Sequence, residues 1–245
     1  MKRSFYDLYI DYSVGFNQGE KLLRQAGEKG FYGIAITIPY KVFMRNPSKY
    51  FEVINRLRLV ASENKIDIVS RLHVEGEISI ASIKRLLRKY RYKFELISLE
   101  NTNRSITAFA CRDSRVDIIT MRRLVRLYRG DIDNLASTNN RIELLLAPLH
   151  VKIYKVKAKF LSYYKGLLNT ITRKKLSDKI LFSSGAKSLE NMRDPRDMAA
   201  LLCLLGVSRE LALDAVSINP ALLVDENRAK LRGLIPSRGV RIIDK

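Results

Sequence analysis

Short apolar runs rich in β-branched residues alternate with amphipathic, helix-period stretches along almost the whole chain. The apolar runs predict seven strands, at 5–11, 32–38, 67–74, 94–100, 116–121, 141–147 and 179–183. Between them the pattern predicts helices at 17–29, 47–64, 79–90, 102–111 and 155–175, while 122–140 is short of pattern. A strand that returns through a helix to the same sheet runs parallel to its predecessor. Seven such units without a long linker predict a closed barrel of the α/β class rather than an open sheet. A complete barrel has eight strands, so one is missing or replaced.

After residue 183 the sequence turns helical. Asn46-Pro47, Asp194-Pro195 and Asn219-Pro220 each read as a capping side chain followed by the residue pre-set for the first helical position, and Ser208 reads as a further cap. The stretch 198–205 is apolar nearly all round and reads as core. The expectation is one distorted TIM-like (β/α) barrel domain over 1–231 with extra C-terminal helices, followed by a basic tail, 232–245, extended or disordered.

Charge changes the picture most. The chain has 245 residues, with 45 Lys and Arg against 25 Asp and Glu, a net charge of +20. A field of that size attracts polyanions and makes their binding salt-dependent. With no basic amphipathic terminal helix, no lipidation motif and no apolar run of membrane-spanning length, nucleic acid is favoured over membrane and a cytoplasmic setting is expected. Two windows carry no acid at all, 78–94 and 144–177, and in the second lysines interleave with Tyr154, Phe160, Tyr163 and Tyr164. Cys111 and Cys203 lie far apart in apolar surroundings and read as reduced core residues.

In a barrel of this kind the functional face is the one at the C-terminal ends of the strands. The residues expected there include Asp11, Lys41, His73, Glu75, Glu100, Asn101, Arg104, Arg122, Arg123, His150, Ser184, Gly185 and Lys187. The chain has two histidines in all, too few for a multi-ligand metal centre of the usual kind, although Asp7, Asp11, His73, Glu75, Glu100 and His150 could form a degenerate one. Neither a nucleophile elbow nor a nucleotide fingerprint is present. The loop Ser183-Ser184-Gly185-Ala186-Lys187 reads equally as a single-phosphate cradle or as a tight strand-to-helix turn.

Several pieces together resemble the thirty-kilodalton protein subunit family of archaeal and eukaryotic ribonuclease P, called protein component 3 in archaea. They are Ser183-Ser184-Gly185-Ala186, then Arg193-Asp194-Pro195-Arg196-Asp197 before a Leu-rich helix ending at Gly206, then Asn219-Pro220. Upstream, Tyr6-Asp7-Leu8, Ile97-Ser98-Leu99-Glu100 and 112–119 fit the same family. The resemblance implies a barrel related to the polymerase-and-histidinol-phosphatase metal hydrolases. Their His-X-His motif at the end of the first strand is replaced here by Asp7-Leu8-Tyr9-Ile10-Asp11.

It further implies a subunit that binds and activates ribonuclease P RNA for endonucleolytic removal of the 5′ leader from precursor tRNA, with a small ferredoxin-like protein subunit as partner. Mg2+ is then held by RNA, and the chain itself binds no cofactor or metal and carries no catalytic residue. The alternatives are an autonomous metal-dependent phosphoesterase or nuclease, and a general RNA chaperone. The residues expected to contact RNA phosphate are Lys41, Arg71, His73, Arg85, Arg88, Arg104, Arg112, Arg122, Lys157, Lys159, Arg173, Lys187, Arg193 and Arg196. Arg85 and Arg88 share the face opposite a stripe of Ile80, Ile83, Leu87 and Tyr90.

Overall fold

Parallel strands need crossovers, and the chain supplies one after each of its first six strands. The structure, a computed structural model, describes residues 3–235. Its strands are β1 (Tyr6–Asp11), β2 (Gly33–Pro39), β3 (Asp67–Val74), β4 (Leu96–Glu100), β5 (Ile118–Thr120), β6 (Arg141–Leu145) and β7 (Ile180–Ser183). They form one parallel sheet in sequence order, β1 to β7. The helices are α1 (Tyr12–Glu28), α2 (Tyr40–Phe43), α3 (Pro47–Asn64), α4 (Ile80–Tyr90), α5 (Arg104–Arg112), α6 (Arg129–Ser137), α7 (Tyr154–Arg173), α8 (Pro195–Leu204), α9 (Arg209–Asp214) and α10 (Ile218–Leu231). Of the basic tail expected at 232–245, residues 236 onward lie outside those described.

The seven-stranded TIM-like barrel is thus what the chain forms, and the fate of the eighth strand is visible. At the mouth, β1 meets the segment after β7 directly: Ile10 bridges Ala186 in parallel, and the Asp11 N–H donates to the Ala186 carbonyl at 2.9 Å. At the other end the turn between α9 and α10 fills the gap. There the Tyr6 N–H donates to the Val216 carbonyl at 3.0 Å and the Phe182 N–H to the Ala215 carbonyl at 3.1 Å. Two residues of turn therefore satisfy the facing edges that an eighth strand would pair.

Helix α3 follows its sequence signals: the Asn46 side chain accepts the Lys49 N–H at 3.1 Å, and Pro47 opens the first turn. Helix α1 begins earlier than predicted, at Tyr12 behind a capping Asp11, and is kinked at Gln18 (φ −138°), next to the predicted start. Asn219-Pro220 is not a helix start. Helix α10 already begins at Ile218, and the buried Asn219 amide donates to the Ser177 and Ile180 carbonyls at 3.0 and 2.8 Å. Asp194 does precede Pro195 of α8, yet its carboxylate pairs with Lys29 at 3.3 Å instead of capping. Leu204, read as core, is 82% exposed, and Cys203 is half-buried, whereas Cys111 is buried.

Side chains alternate along each strand, so every second residue fills the barrel. The layer farthest from the mouth is apolar, with Leu8, Ala35, Val69, Leu96, Ile118 and Leu181 packed against Leu223 and Val224 of α10. Helix α10 is held there by Arg228, which pairs both oxygens of Asp67 at 2.8 Å and Glu95 at 2.6 Å. Two residues further up β2, β3, β4, β5 and β7 the interior turns polar, at Thr37, Arg71, Ser98, Thr120 and Ser183.

Candidate nucleic-acid interface and the barrel mouth

The polar layer centres on Arg71, two residues after Val69 on β3. Its five N–H groups are all used. Nε donates to Ser98 Oγ at 2.9 Å, Nη1 to the Leu8 carbonyl and Glu143 Oε1 at 2.6 Å each, and Nη2 to Thr120 Oγ1 at 2.9 Å and Glu143 Oε2 at 2.6 Å. Glu143 also accepts from the hydroxyls of Thr120 and Ser183, both at 2.8 Å. Thr37 Oγ1 joins through the Leu8 carbonyl at 3.3 Å. One network thus takes a group from each of the seven strands. Arg71, expected to touch RNA phosphate, is wholly buried and fully engaged, so it is a core residue. Every donor that a phosphate could use is already taken.

One layer nearer the mouth stands His73, and it too is wholly buried, which removes it from the phosphate-contact set. Its Nδ1 bonds Ser98 Oγ at 2.9 Å, its ring meets Tyr9 edge-on at 5.2 Å, and its Nε2 has no hydrogen-bond partner among the described residues. Burial first, then Arg71 and Arg122, holds its pKa well below the ordinary value, so the ring is neutral. Glu75 and Glu100 bring carboxylate oxygens to this imidazole, the ligand atoms of all three lying within 4.8 Å of one another. Each carboxylate already has a cation: Arg122 pairs with Glu75 at 3.5 Å and Arg123 with Glu100 at 3.0 Å. Of the six residues named as degenerate ligands, the other three lie elsewhere. Asp11 caps α1, His150 sits half-buried on the rim, and Asp7 lies under the closing loop.

That closing loop is the Ser183–Lys187 stretch, and its donors face inward. The Ser184 N–H donates to Asp7 Oδ1 and the Ala186 N–H to Ser184 Oγ. Gly185 adopts φ +66°, where a Cβ would stand 2.9 Å from that of Ala147. The loop closes the barrel, and of its side chains only Lys187 is exposed. The other oxygen of Asp7 has no partner, and burial raises its pKa to about 6.

With the interior filled, the remaining predicted cations lie outside. Helices run back from the mouth, so their N-terminal ends surround it. Lys41 after β2, Arg104 opening α5, Arg122 after β5, Lys157 and Lys159 in the first turns of α7, and Lys187 after β7 belong to that rim, whereas Arg193 and Arg196 flank Asp194, which pairs with Lys29 at the far end of α1. Arg104 is paired with Asp131 at 2.8 Å, and Arg193 donates to the Glu190 and Met192 carbonyls rather than to a neighbouring aspartate. Arg85 and Arg88 are exposed on the outer face of α4. Arg112 and Arg173 end α5 and α7, at the opposite end of the barrel from the rim.

The sequence reading named Arg122 and Arg123 but passed over the rest of their segment. Residues 122–129 read RRLVRLYR, four arginines without an acid, in the interval that lacked helical pattern. The segment is pinned: the Asn101 side chain accepts the Arg122 and Arg123 N–H groups at 2.8 Å and donates to the Arg123 carbonyl at 2.6 Å, and Tyr163 Oη donates to the Val125 carbonyl at 2.6 Å. Arg123, Arg126, Tyr128 and Arg129 are exposed along it. The signal was the charge run itself.

Fold and site together define a TIM-like barrel with a sealed interior and a basic outer rim. The chain belongs to the RNase P subunit p30 family, whose model it matches over residues 4–232. It is similar to the ribonuclease P protein component 3 of Methanococcoides burtonii, 28% identical over 242 residues, covering 93% of this chain and 90% of that one. The protein of the same name from Methanosarcina barkeri is 25% identical, covering 93% of this chain and 91% of that one. Among solved structures, a chain of a cryo-EM structure of archaeal ribonuclease P with mature tRNA shares the fold, with a TM-score of 0.79 at 21% identity over 98% of each chain.

Proposed function

We propose that this chain binds ribonuclease P RNA and activates it for removal of the 5′ leader from precursor tRNA, acting beside a small ferredoxin-like protein subunit in the cytoplasm. Family membership carries the reading. The rim supports it: exposed Lys41, Lys159 and Lys187 stand in a chain of net charge +20 and suit the closely spaced phosphates of a compact RNA. The magnesium of the reaction belongs to the RNA in this reading. The carboxylates nearest the mouth are already neutralised by Arg122 and Arg123.

The test is precursor-tRNA cleavage by the cognate RNA, with and without this chain and its small partner, across a magnesium titration. Stimulation at low magnesium with no cleavage when RNA is omitted is expected. Cleavage by the protein alone, abolished by chelator, would instead assign His73, Glu75 and Glu100 to an active site. Equal binding to unrelated structured RNA at matched salt would reduce the chain to a general chaperone.

A further inference from the structure

Tyr128 lies in the pinned segment after β5, 53% exposed, with cations beside its ring. The Arg104 guanidinium carbon is 4.6 Å from the ring centroid and that of Arg126 is 5.9 Å away. The backbone that carries the ring is also held in place. Asp131 accepts the Tyr128 N–H at 2.8 Å and pairs with Arg104 at 2.8 Å, so one buried carboxylate fixes both the backbone and a flanking guanidinium. On the next connection, Tyr154 is 83% exposed with the Lys157 ammonium 5.6 Å from its ring. The two segments wall a shallow groove of about 520 Å³, in which Lys155 and Lys159 lie beside Leu124.

An exposed tyrosine flanked by cations is what a nucleobase stacks on, and the lysines of the adjoining groove suit the phosphates joining stacked bases. A-form duplex hides its base faces, so it can use only the lysines. We infer that this side of the rim takes an unpaired RNA segment, with one base on Tyr128, another on Tyr154, and the intervening backbone along Lys155 and Lys159. The inference rests on the RNA-binding reading above and names the kind of RNA the surface selects.

The test compares a fluorescein-labelled oligouridine strand with a blunt RNA duplex of matched charge, binding each to the full chain at fixed salt. Tyr128→Leu is expected to weaken oligouridine binding about 5- to 150-fold, the range for loss of one stacked base, and to leave duplex binding and the salt slope unchanged. Tyr128→Phe keeps the ring and should bind like the parent. The chain has no tryptophan. Tyr128→Trp therefore introduces a single indole, whose emission oligouridine should quench and the duplex should not.

Parental affinity of Tyr128→Leu for oligouridine, or an unquenched indole at saturation, would overturn the platform while leaving phosphate binding intact. That result would make the tyrosine face a protein contact. If the parent chain bound neither RNA even at low salt, the underlying RNA-binding reading would fail first.

Discussion

Replacing Arg71 with methionine isolates the buried charge at the heart of the barrel. The substitution keeps most of the side-chain volume but strands Glu143, which loses bonds at 2.6 Å to each oxygen and keeps only the Thr120 and Ser183 hydroxyls. A carboxylate wholly removed from water and left without its cation costs about 3–5 kcal/mol. In a chain of this size that corresponds to a Tm lower by roughly 6–20 °C. Arg71→Met/Glu143→Leu removes both charges, so the double variant should recover most of the loss and give a coupling energy of about 2 kcal/mol or more. Differential scanning calorimetry of the four proteins completes the cycle. The same samples, titrated with ribonuclease P RNA below their melting points, should share one salt slope. A Tm unmoved by Arg71→Met, or a slope shallower by about one for the folded variant, would refute the assignment of Arg71 to the core.

Other consequences follow from the same geometry. Asp7 has its pKa raised from 3.8 to about 6 by burial, so the native state holds this proton more tightly than the unfolded chain. Its contribution is fully present below pH 3.8 and lost as pH rises through 6, a difference of about 3 kcal/mol. Asp7→Asn should therefore melt above the parent at pH 8, with the advantage gone at pH 4, in parallel thermal melts. Gly185→Ala, forced to φ +66° with its Cβ 2.9 Å from Ala147, should cost roughly 1–3 kcal/mol in urea unfolding. Lys157→Gln/Lys159→Gln should lower the RNA-binding salt slope by about two and leave stability within about 0.5 kcal/mol. The pair Arg112→Gln/Arg173→Gln, at the far end of the barrel, should leave that slope unchanged.

The strand pattern was legible because burial on both faces makes parallel strands near-continuous apolar runs. The span of β3 matches its prediction, and the others shift by a few residues at most. Interior chemistry was harder to see, although its signal was present. Val69, Arg71 and His73 share one parity on β3, so the period that predicted the strand also placed Arg71 beside a core valine. Charge suggested solvent and parity suggested the core; parity won, because Glu143 waited on the facing strand 72 residues away. No local window contains that pairing. Asn219 failed for a similar reason: its proline context is local, whereas the Ser177 and Ile180 carbonyls it satisfies are contributed by another part of the fold. Helix α6 stayed hidden because its sequence, RGDIDNLAS, carries Gly130 in the first turn and offers only Ile132 and Leu135 as large apolar positions.

The distribution of acids explains why the rim carries the excess positive charge. Most buried or half-buried carboxylates are spent on ion pairs: Glu143 on Arg71, Asp117 on Arg91, Asp67 on Arg228, Glu95 on Arg228 and Arg58, Glu75 and Glu100 on the two arginines at the mouth. Counted with Arg58, each such group balances its charges and fixes a strand or seals an end of the barrel. Window 144–177 contributes no carboxylate to this set, so its lysines have no local acid to meet and face outward on α7. A barrel stabilised by internal ion pairs thereby separates two properties that a sequence mixes. Interior charges bear on stability and are insensitive to salt, whereas in the proposed function the rim charges carry polyanion binding and are screened over about 8 Å at physiological ionic strength. Substitutions in the two groups should therefore move different observables, which is the sense in which this fold works from its outer surface.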